Sequence, residues 1–262
     1  MIDYYPCFSN LLNISKKQGI EIEKKAMKKA SKIIYSSHWA SESAIKDFGI
    51  KKDKIYIIPF GANLEETPSK NEVEKMINDR LQERKVCRLL FIGVDWFRKG
   101  GDIAFKTTVE LNKRGVPTKL IVCGCYPSFT TKSPYLKILG FLDKNEKEQS
   151  DILAEQYRKA HLFILPTRAE AAGIVFSEAC AYGLPIISTF TGGVSTYVKD
   201  GVNGYLLSIE SNYIKYADII QKIWENIDEY YALSINARKM YEKELNWDIW
   251  GVKVKKIILS LL

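Results

Sequence analysis

Short apolar runs alternate with amphipathic stretches along this chain, and the alternation predicts strands and helices in turn. Lys32-Ile33-Ile34-Tyr35-Ser36-Ser37 reads as a strand, a helix follows from about Trp39 to Phe48 and stops at Gly49, and Ile55-Tyr56-Ile57-Ile58-Pro59 reads as a second strand. Residues 62–84 are polar, contain Pro68, and predict a linker with one short helix. A second series then begins. Strands are expected at Arg88–Gly93, Lys119–Cys123, Tyr135–Leu139, His161–Leu165, 185–189 and Tyr205–Leu207, with helices at Asp102–Arg114, Lys147–Lys159 and 174–182. Three helical segments follow, near 212–226, 228–244 and 247–262; the last has Trp250, Val254, Ile257, Ile258 and Leu261 on one stripe that needs a packing partner. Near-continuous apolar strands separated by helices predict an α/β fold, a Rossmann-like doubly wound parallel sheet covered on both faces. Such sheets bind ligands beyond the carboxyl ends of their strands, so the informative residues should follow Gly93, Cys123, Leu139, Leu165 and Ile187.

A length of 262 residues suits one large domain or two small ones, and 46% apolar with 27% charged residues excludes a wholly disordered chain. No apolar run approaches the ~20 residues of a membrane span. The opening Met1-Ile2-Asp3-Tyr4-Tyr5-Pro6 lacks a basic segment followed by an apolar one, so no secretory signal is expected. The five cysteines, Cys7, Cys87, Cys123, Cys125 and Cys180, sit among apolar neighbours and read as reduced, buried thiols of a cytoplasmic protein. The net charge of +8 is uneven: residues 1–60 hold 11 lysines against 6 acids. Lys24, Lys25, Lys28, Lys29 and Lys32 fall at helical spacing, with Ile22, Ala26, Ala30 and Ile33 on another face. That basic face is either solvated surface or a docking face for anionic membrane. Nucleic acid is disfavoured, because no aromatic-interleaved basic motif accompanies the charge.

Familiar cofactor signatures are absent. There is no G-x-G-x-x-G after a strand and no G-x-x-x-x-G-K-[ST], which argues against a nicotinamide enzyme and a P-loop nucleotidase. His38 and His161 are the only histidines, and His161 reads as a packed strand-edge residue. Cys123-Gly124-Cys125 has no second pair, so zinc is not expected, and no metal is required where a lysine and a helix terminus carry the charge. Two strand-end segments remain. Gly93-Val94-Asp95-Trp96-Phe97-Arg98-Lys99-Gly100-Gly101 places a lysine at the ligand edge, although a surface loop explains it equally well. In the other, Glu170 precedes a small-residue loop and a helix start, and Glu178 follows eight residues later. The backbone N–H groups near Gly173, Ile174 and Val175 would form an anion site at that helix N-terminus. Glu178 lies in an otherwise apolar helix and needs a partner, for which a sugar's vicinal hydroxyls would be good donors.

With the run Ala179-Cys180-Ala181-Tyr182-Gly183-Leu184-Pro185, with Thr191-Gly192-Gly193-Val194-Ser195, and with Asp200-Gly201-Val202-Asn203-Gly204-Tyr205-Leu206, the glutamate pair resembles the retaining glycosyltransferases of family 4, which have the GT-B fold. Ser36-Ser37-His38-Trp39 and Ile58-Pro59-Phe60-Gly61-Ala62-Asn63 are similar to the end of that family's first domain and its entry to the linker. The resemblance implies that Lys99 contacts the donor diphosphate and that Glu170 holds hydroxyls of the donor sugar. It further implies backbone donors at Gly173 and Ile174, ribose on Glu178, and the Gly140-Phe141-Leu142 loop against the base. Lys99 and Glu170 are then the residues expected to carry catalysis, with a nucleotide diphosphate sugar as co-substrate and no cofactor. Many relatives have an arginine just after the glycine that ends the first strand; here that position is Val94, which leaves one assured cation, with Arg98 either its replacement or a solvent-facing loop residue.

The resemblance divides the chain into a remnant of an acceptor-side domain (1–64), a linker (65–85), a nucleotide-sugar-binding domain (86–246) and a helix packing back on the first segment (247–262). About 60 residues ahead of the linker are too few for a complete first domain, so the expectation is most of the donor half of a hexosyltransferase. The donor would be a nucleotide sugar and the acceptor a glycan or a lipid-linked hydroxyl, in the cytoplasm or at the inner membrane face. Two rivals stay open: a non-catalytic nucleotide-sugar-binding subunit, and a GT-B-fold nucleotide-sugar epimerase, against which the glutamate pair and the Lys-Gly-Gly loop speak.

Overall fold

Strands that are apolar along their whole length need cover on both faces, and the order of elements supplies it. A computed structural model of the chain describes Tyr4, Tyr5 and residues 10–127 and 133–262. Cys7 lies outside the described residues. The front of the chain runs α1 (Asn13–Lys29), β1 (Ile33–Tyr35), α2 (His38–Lys46) and β2 (Ile55–Ile57). β1 and β2 pair in parallel over three residues, Ile33 opposite Ile55 to Tyr35 opposite Ile57. Met27, Ala44 and Ile50 form their small buried cluster.

Two expectations for this front part need correction. The helix ends at Lys29, with Ala30 already extended, because the chain must straighten to enter β1. Lys32 therefore leaves the basic helix face, and its ammonium donates to the Asp53 carbonyl instead. The apolar face assigned to Ile22 and Ala26 is also not the packed one: Ile22 is 68% exposed and Met27 is buried.

The stretch expected to carry a short helix holds a longer one, α3 (Lys70–Gln82), started by a capping box between Ser69 and Glu72. Its Val73 and Ile77 are fully buried. Next come β3 (Cys87–Ile92), α4 (Gly101–Lys113), β4 (Thr118–Cys123), β5 (Leu136–Gly140), α5 (Lys147–Lys159), β6 (Leu162–Leu165), α6 (Ile174–Ala181), β7 (Ile186–Thr189), α7 (Val194–Tyr197) and β8 (Gly204–Leu207). α8 (Tyr213–Glu225), α9 (Ile227–Lys243) and α10 (Trp247–Leu259) close the chain. The sheet of β3 to β8 is parallel throughout and doubly wound, as the sequence predicts, and its strand order is β5-β4-β3-β6-β7-β8. Leu89, Leu90 and Phe91 of β3 and all four residues of β6 are inaccessible to solvent.

Arg80 of α3 shows how this core tolerates a charge. Its buried guanidinium donates to the carbonyls of Tyr157 and Arg158 in the last turn of α5 and of Tyr182 and Gly183 just past α6. Helix C-termini leave carbonyls without partners and carry partial negative charge, so one cation satisfies two helix ends. The stripe on α10 is covered less than expected. Ile257 is buried, but Ile258 and Leu261 remain 54% and 51% exposed; nearer its start the helix meets earlier chain through Trp247 and Phe60, ring centroids 6.0 Å apart.

Candidate functional site

The winding of the sheet reverses between β3 and β6, so a crevice opens where their carboxyl ends lie side by side. The two segments singled out in the sequence leave from these ends. Lys99, just ahead of α4, reaches across and donates to Oε2 of Glu170, and both residues are buried. Gly93 is required by this path, since a Cβ there would stand 2.8 Å from the Lys99 Cγ. The loops are also fastened to each other. Arg168 N–H donates to the Arg98 carbonyl at 2.8 Å, and the Arg168 guanidinium clasps both oxygens of Asp102 at 2.8 and 2.9 Å. Two opposite charges held out of water in this way depend on each other.

Glu178 has no exposed surface, and the protein itself supplies the partners that a buried carboxylate needs. The Tyr157 phenol donates to Oε2 at 2.7 Å and the Lys144 ammonium donates to Oε1. Burial, and then the Glu178 charge, holds the Tyr157 phenol well above its usual range, so it stays protonated and remains a donor. Lys144 sits on a turn past β5 in which the Asp143 carboxylate accepts from Asn145 N–H at 2.9 Å and Gln149 accepts from Asp143 N–H at 2.8 Å.

Between these pairs lies a cavity of about 280 Å³. Gly93, Arg98, Lys99, Phe141, Leu142 and Val175 line it, as does Lys144. Glu170 and Glu178 stand behind its wall, bonded to Lys99 and Lys144 respectively. Gly140 ends β5, and its carbonyl accepts from Gly124 N–H at 2.7 Å. Gly173 caps α6 at φ +94°, a left-handed conformation that suits glycine, and leaves the N–H groups of the first turn, at Ile174 and Val175, without intrahelical partners. Arg98 is held by protein: its guanidinium donates to the Ala169 carbonyl at 3.1 Å, approaches Asp95, and lies 5.6 Å from the Tyr5 ring. Val94 is 68% exposed and brings no charge to the site.

Sequence reasoning missed Lys144, Tyr157, Tyr4 and Tyr5. Lys144 was within reach of the strand-end rule, four residues beyond Gly140. Tyr157 gives no such signal, because it meets Glu178 from a different helix. The tyrosines near the start of the chain accept from the loop that carries Glu170: Glu170 N–H donates to Tyr4 at 2.9 Å and Ala171 N–H to Tyr5 at 2.7 Å.

His161 is fully buried; its Nδ1 accepts from Arg88 N–H at 3.0 Å and its Nε2 faces the Arg80 carbonyl at 3.2 Å. Burial, with nearby arginines, pushes its pKa down to about 3, so it is neutral and structural. Cys87, Cys123 and Cys180 are raised by burial to about 12 and Cys125 to about 11, which leaves them as inert thiols. Among the described residues no group of three or more His, Cys, Asp or Glu is placed to hold a metal. Among them, too, no helix is long and apolar enough to cross a membrane.

In overall shape the chain is similar to Anabaena HepE, solved in complex with UDP and glucose, at a TM-score of 0.69 and 18% identity over 93% of this chain and 67% of that one. It is also similar to sucrose-phosphate synthase from Thermosynechococcus elongatus, at a TM-score of 0.71 and 20% identity over 94% of this chain and 62% of that one. In sequence it is 25% identical to D-inositol 3-phosphate glycosyltransferase from Xylanimonas cellulosilytica over 86% of this chain and 56% of that protein. The chain thus spans about half the length of the curated relatives it matches. The family described as glycosyl transferases group 1 matches residues 72–240, well over half of the chain, and the protein, with its GT-B architecture, belongs to that family.

Proposed function

We propose that this chain is the donor half of a retaining glycosyltransferase of family 4, which moves a hexose from a nucleotide diphosphate sugar to an acceptor hydroxyl. One observation carries the reading: the Lys99–Glu170 pair sits at the sheet's switch point, beside an open cavity and the first turn of α6. A diphosphate would compete for the Lys99 ammonium while sugar hydroxyls donate to the Glu170 carboxylate that the lysine gives up. Each buried charge would then exchange one partner for another at small net cost. During transfer, the ammonium and the N–H groups of Ile174 and Val175 would stabilise the departing diphosphate while the acceptor oxygen attacks the sugar carbon from the same face and its proton passes to the phosphate oxygen that leaves. Preorganised donors of this kind contribute roughly 3 kcal/mol each, so the reading calls for no metal. Binding of UDP by Anabaena HepE makes a uridine nucleotide the first donor to try.

The acceptor side of the proposal rests on α1. α1 keeps four of the five lysines, exposed or half-buried, with Ile14 and Ile22 exposed among them, which suits a lipid-linked acceptor approached at an anionic membrane from the cytoplasm. Titration calorimetry with UDP, GDP, ADP and the bare nucleosides tests the donor reading. One diphosphate should bind, and at least tenfold more tightly than its nucleoside, for about 1.4 kcal/mol of phosphate contact. Equal affinity for nucleoside and diphosphate, or no binding at all, would refute it.

A further inference from the structure

We propose that Lys144 is a positioning residue for Glu178 and that, through this carboxylate, it sets the preference of the site for ribose over deoxyribose. The inference rests on the nucleotide-binding reading above and concerns a residue that the sequence patterns did not single out.

The argument is one of lone pairs. An ionised carboxylate offers about four acceptor positions, two on each oxygen. At Glu178 one position on Oε2 is filled by the Tyr157 hydroxyl and one on Oε1 by the Lys144 ammonium. One acceptor position is left on each oxygen, which matches the paired O–H donors of a vicinal diol; Glu178 has no exposed surface of its own, so a diol reaches it from the cavity as the Lys144 side chain in the wall shifts. Tyr157 is held rigidly, and Lys144 is fixed at its backbone. Tyr157 is fully buried and stacked on Tyr182, with ring centroids 5.1 Å apart. Lys144 stands on the turn closed by Asp143 and also donates to the Asn63 carbonyl at 3.3 Å. The lysine lies in the cavity wall, and a third of its side chain is exposed, so its replacement disturbs little packing. Without the ammonium the buried carboxylate keeps one donor, Tyr157, and swings from its place, which removes one of the two acceptors that the diol needs.

The test is a titration of the full chain with UDP and its 2′-deoxy analogue, for the wild type, Lys144→Met and Lys144→Arg, with thermal unfolding as a check on folding. The wild type should prefer UDP by about tenfold, the weight of one charge-assisted hydrogen bond. Lys144→Met should lower UDP affinity by about tenfold and bring the ratio of the two ligands close to one. Lys144→Arg, which keeps the charge, should preserve most of the ratio. Lys99→Ala should weaken both ligands alike and leave the ratio in place. An unchanged ratio in Lys144→Met overturns the inference: with equal loss for both ligands the lysine touches phosphate directly, and with no loss it is only structural. UDP binding by the wild type without any preference for ribose also overturns it, while the donor reading survives. If UDP, GDP and ADP all fail to bind the wild type, the donor reading falls and this inference falls with it.

Discussion

Two parallel assemblies share this chain, and they differ in how they meet the demands of the same architecture. In the sheet of β3 to β8, the two innermost strands, β3 and β6, have six and four residues, all buried except Arg88. In the pair β1 and β2 each strand has three residues, every one of them half-buried or exposed. The first assembly carries a continuous core from Ala62 to Leu245, and the second has a cluster of three buried residues. What the small assembly lacks inside, it obtains by hydrogen bonds to the large one. His38 N–H donates to Thr196 at 3.0 Å, Ser177 donates to the Phe60 carbonyl at 2.9 Å, and the Tyr197 hydroxyl makes two bonds to the front of the chain. That hydroxyl accepts from Phe60 N–H and donates to the Ser36 carbonyl, each at 3.1 Å, and burial keeps it protonated by raising its pKa to about 12. The strand pattern is alike in both halves; autonomy comes from two-sided burial, and two strands do not provide it.

The largest effect that would test this contrast is truncation of a core side chain on each side. Phe163→Ala should cost roughly 3–5 kcal/mol of global stability, because Phe163 is fully enclosed between β3 and β7 and its ring meets Phe176 edge to face. Met27→Ala in the small cluster should leave the main thermal transition in place and raise only amide exchange in residues 13–57. A common shift of the main transition in both variants would show that the two parts unfold as one.

Next in size is the ion pair at the crevice. Lys99→Ala strands a buried Glu170 and should lower stability by roughly 3 kcal/mol. Lys99→Ala with Glu170→Gln should recover most of that loss, since no unpaired charge remains. Neither variant should recover diphosphate affinity, reduced by about 1.5–3 kcal/mol through the missing charge-assisted bond. Restored stability together with restored affinity would remove Lys99 from the phosphate site.

How far the sequence revealed this architecture can be judged on the same residues. The strands from Cys87 onward were legible because their apolar runs are what two-sided burial demands, and the strand ends then located Lys99, Glu170 and Glu178. Lys99 and Glu170 are adjacent in space because β3 and β6 are neighbours, and strand order is a property of the whole sheet that no local pattern carries. The reading failed where a pattern had no neighbour to answer it. Ile22 and Ala26 are spaced to be buried, yet nothing among the described residues covers them, and the half-exposed Ile258 and Leu261 repeat the lesson on α10. Partners from distant positions, such as Tyr157 for Glu178 and Tyr4 for the Glu170 backbone, were invisible for the reason that hid the strand order.

A smaller effect comes from His161, which belongs wholly to the large assembly. Its pKa falls from an ordinary 6.5 to about 3 on folding, so at mildly acidic pH the unfolded chain binds a proton that the folded chain refuses. Its contribution to stability is complete above pH 6.5 and is lost as the pH falls toward 3, at up to about 1.4 kcal/mol per pH unit. Denaturant melts at pH 6 and 5 should show this slope, and His161→Asn should flatten it even if the variant is less stable at every pH. An unaltered slope in the variant would assign the acid sensitivity to other groups. Trp247→Ala is expected to cost less, about 1 kcal/mol, because the residue is 41% exposed and its ring meets Phe60 at a tilt. Limited proteolysis should then cut first in residues 1–60 while the sheet from β3 onward persists; a shift in the main transition would mean that α10 braces the large assembly as well.

The smallest expected change is the most discriminating for the front of the chain. Ile22 projects from α1 with 68% of its surface in water, whereas Ile164, in β6, has none. Aspartate at position 164 should abolish folding, because a carboxylate would be buried without a partner. Aspartate at position 22 should change stability by no more than about 0.5 kcal/mol, as for an ordinary surface site. If α1 docks on anionic membrane, the same change removes an apolar contact and adds a negative charge among the lysines, so vesicle binding should drop sharply while the melting curve stays in place. Sedimentation with acidic vesicles at low and high salt separates the outcomes. Weaker binding with unaltered stability supports docking through this face, and unaltered binding leaves it as solvated helix surface. A loss of more than about 1 kcal/mol in stability would mean that Ile22 is covered in the folded chain and that the two assemblies differ less in burial.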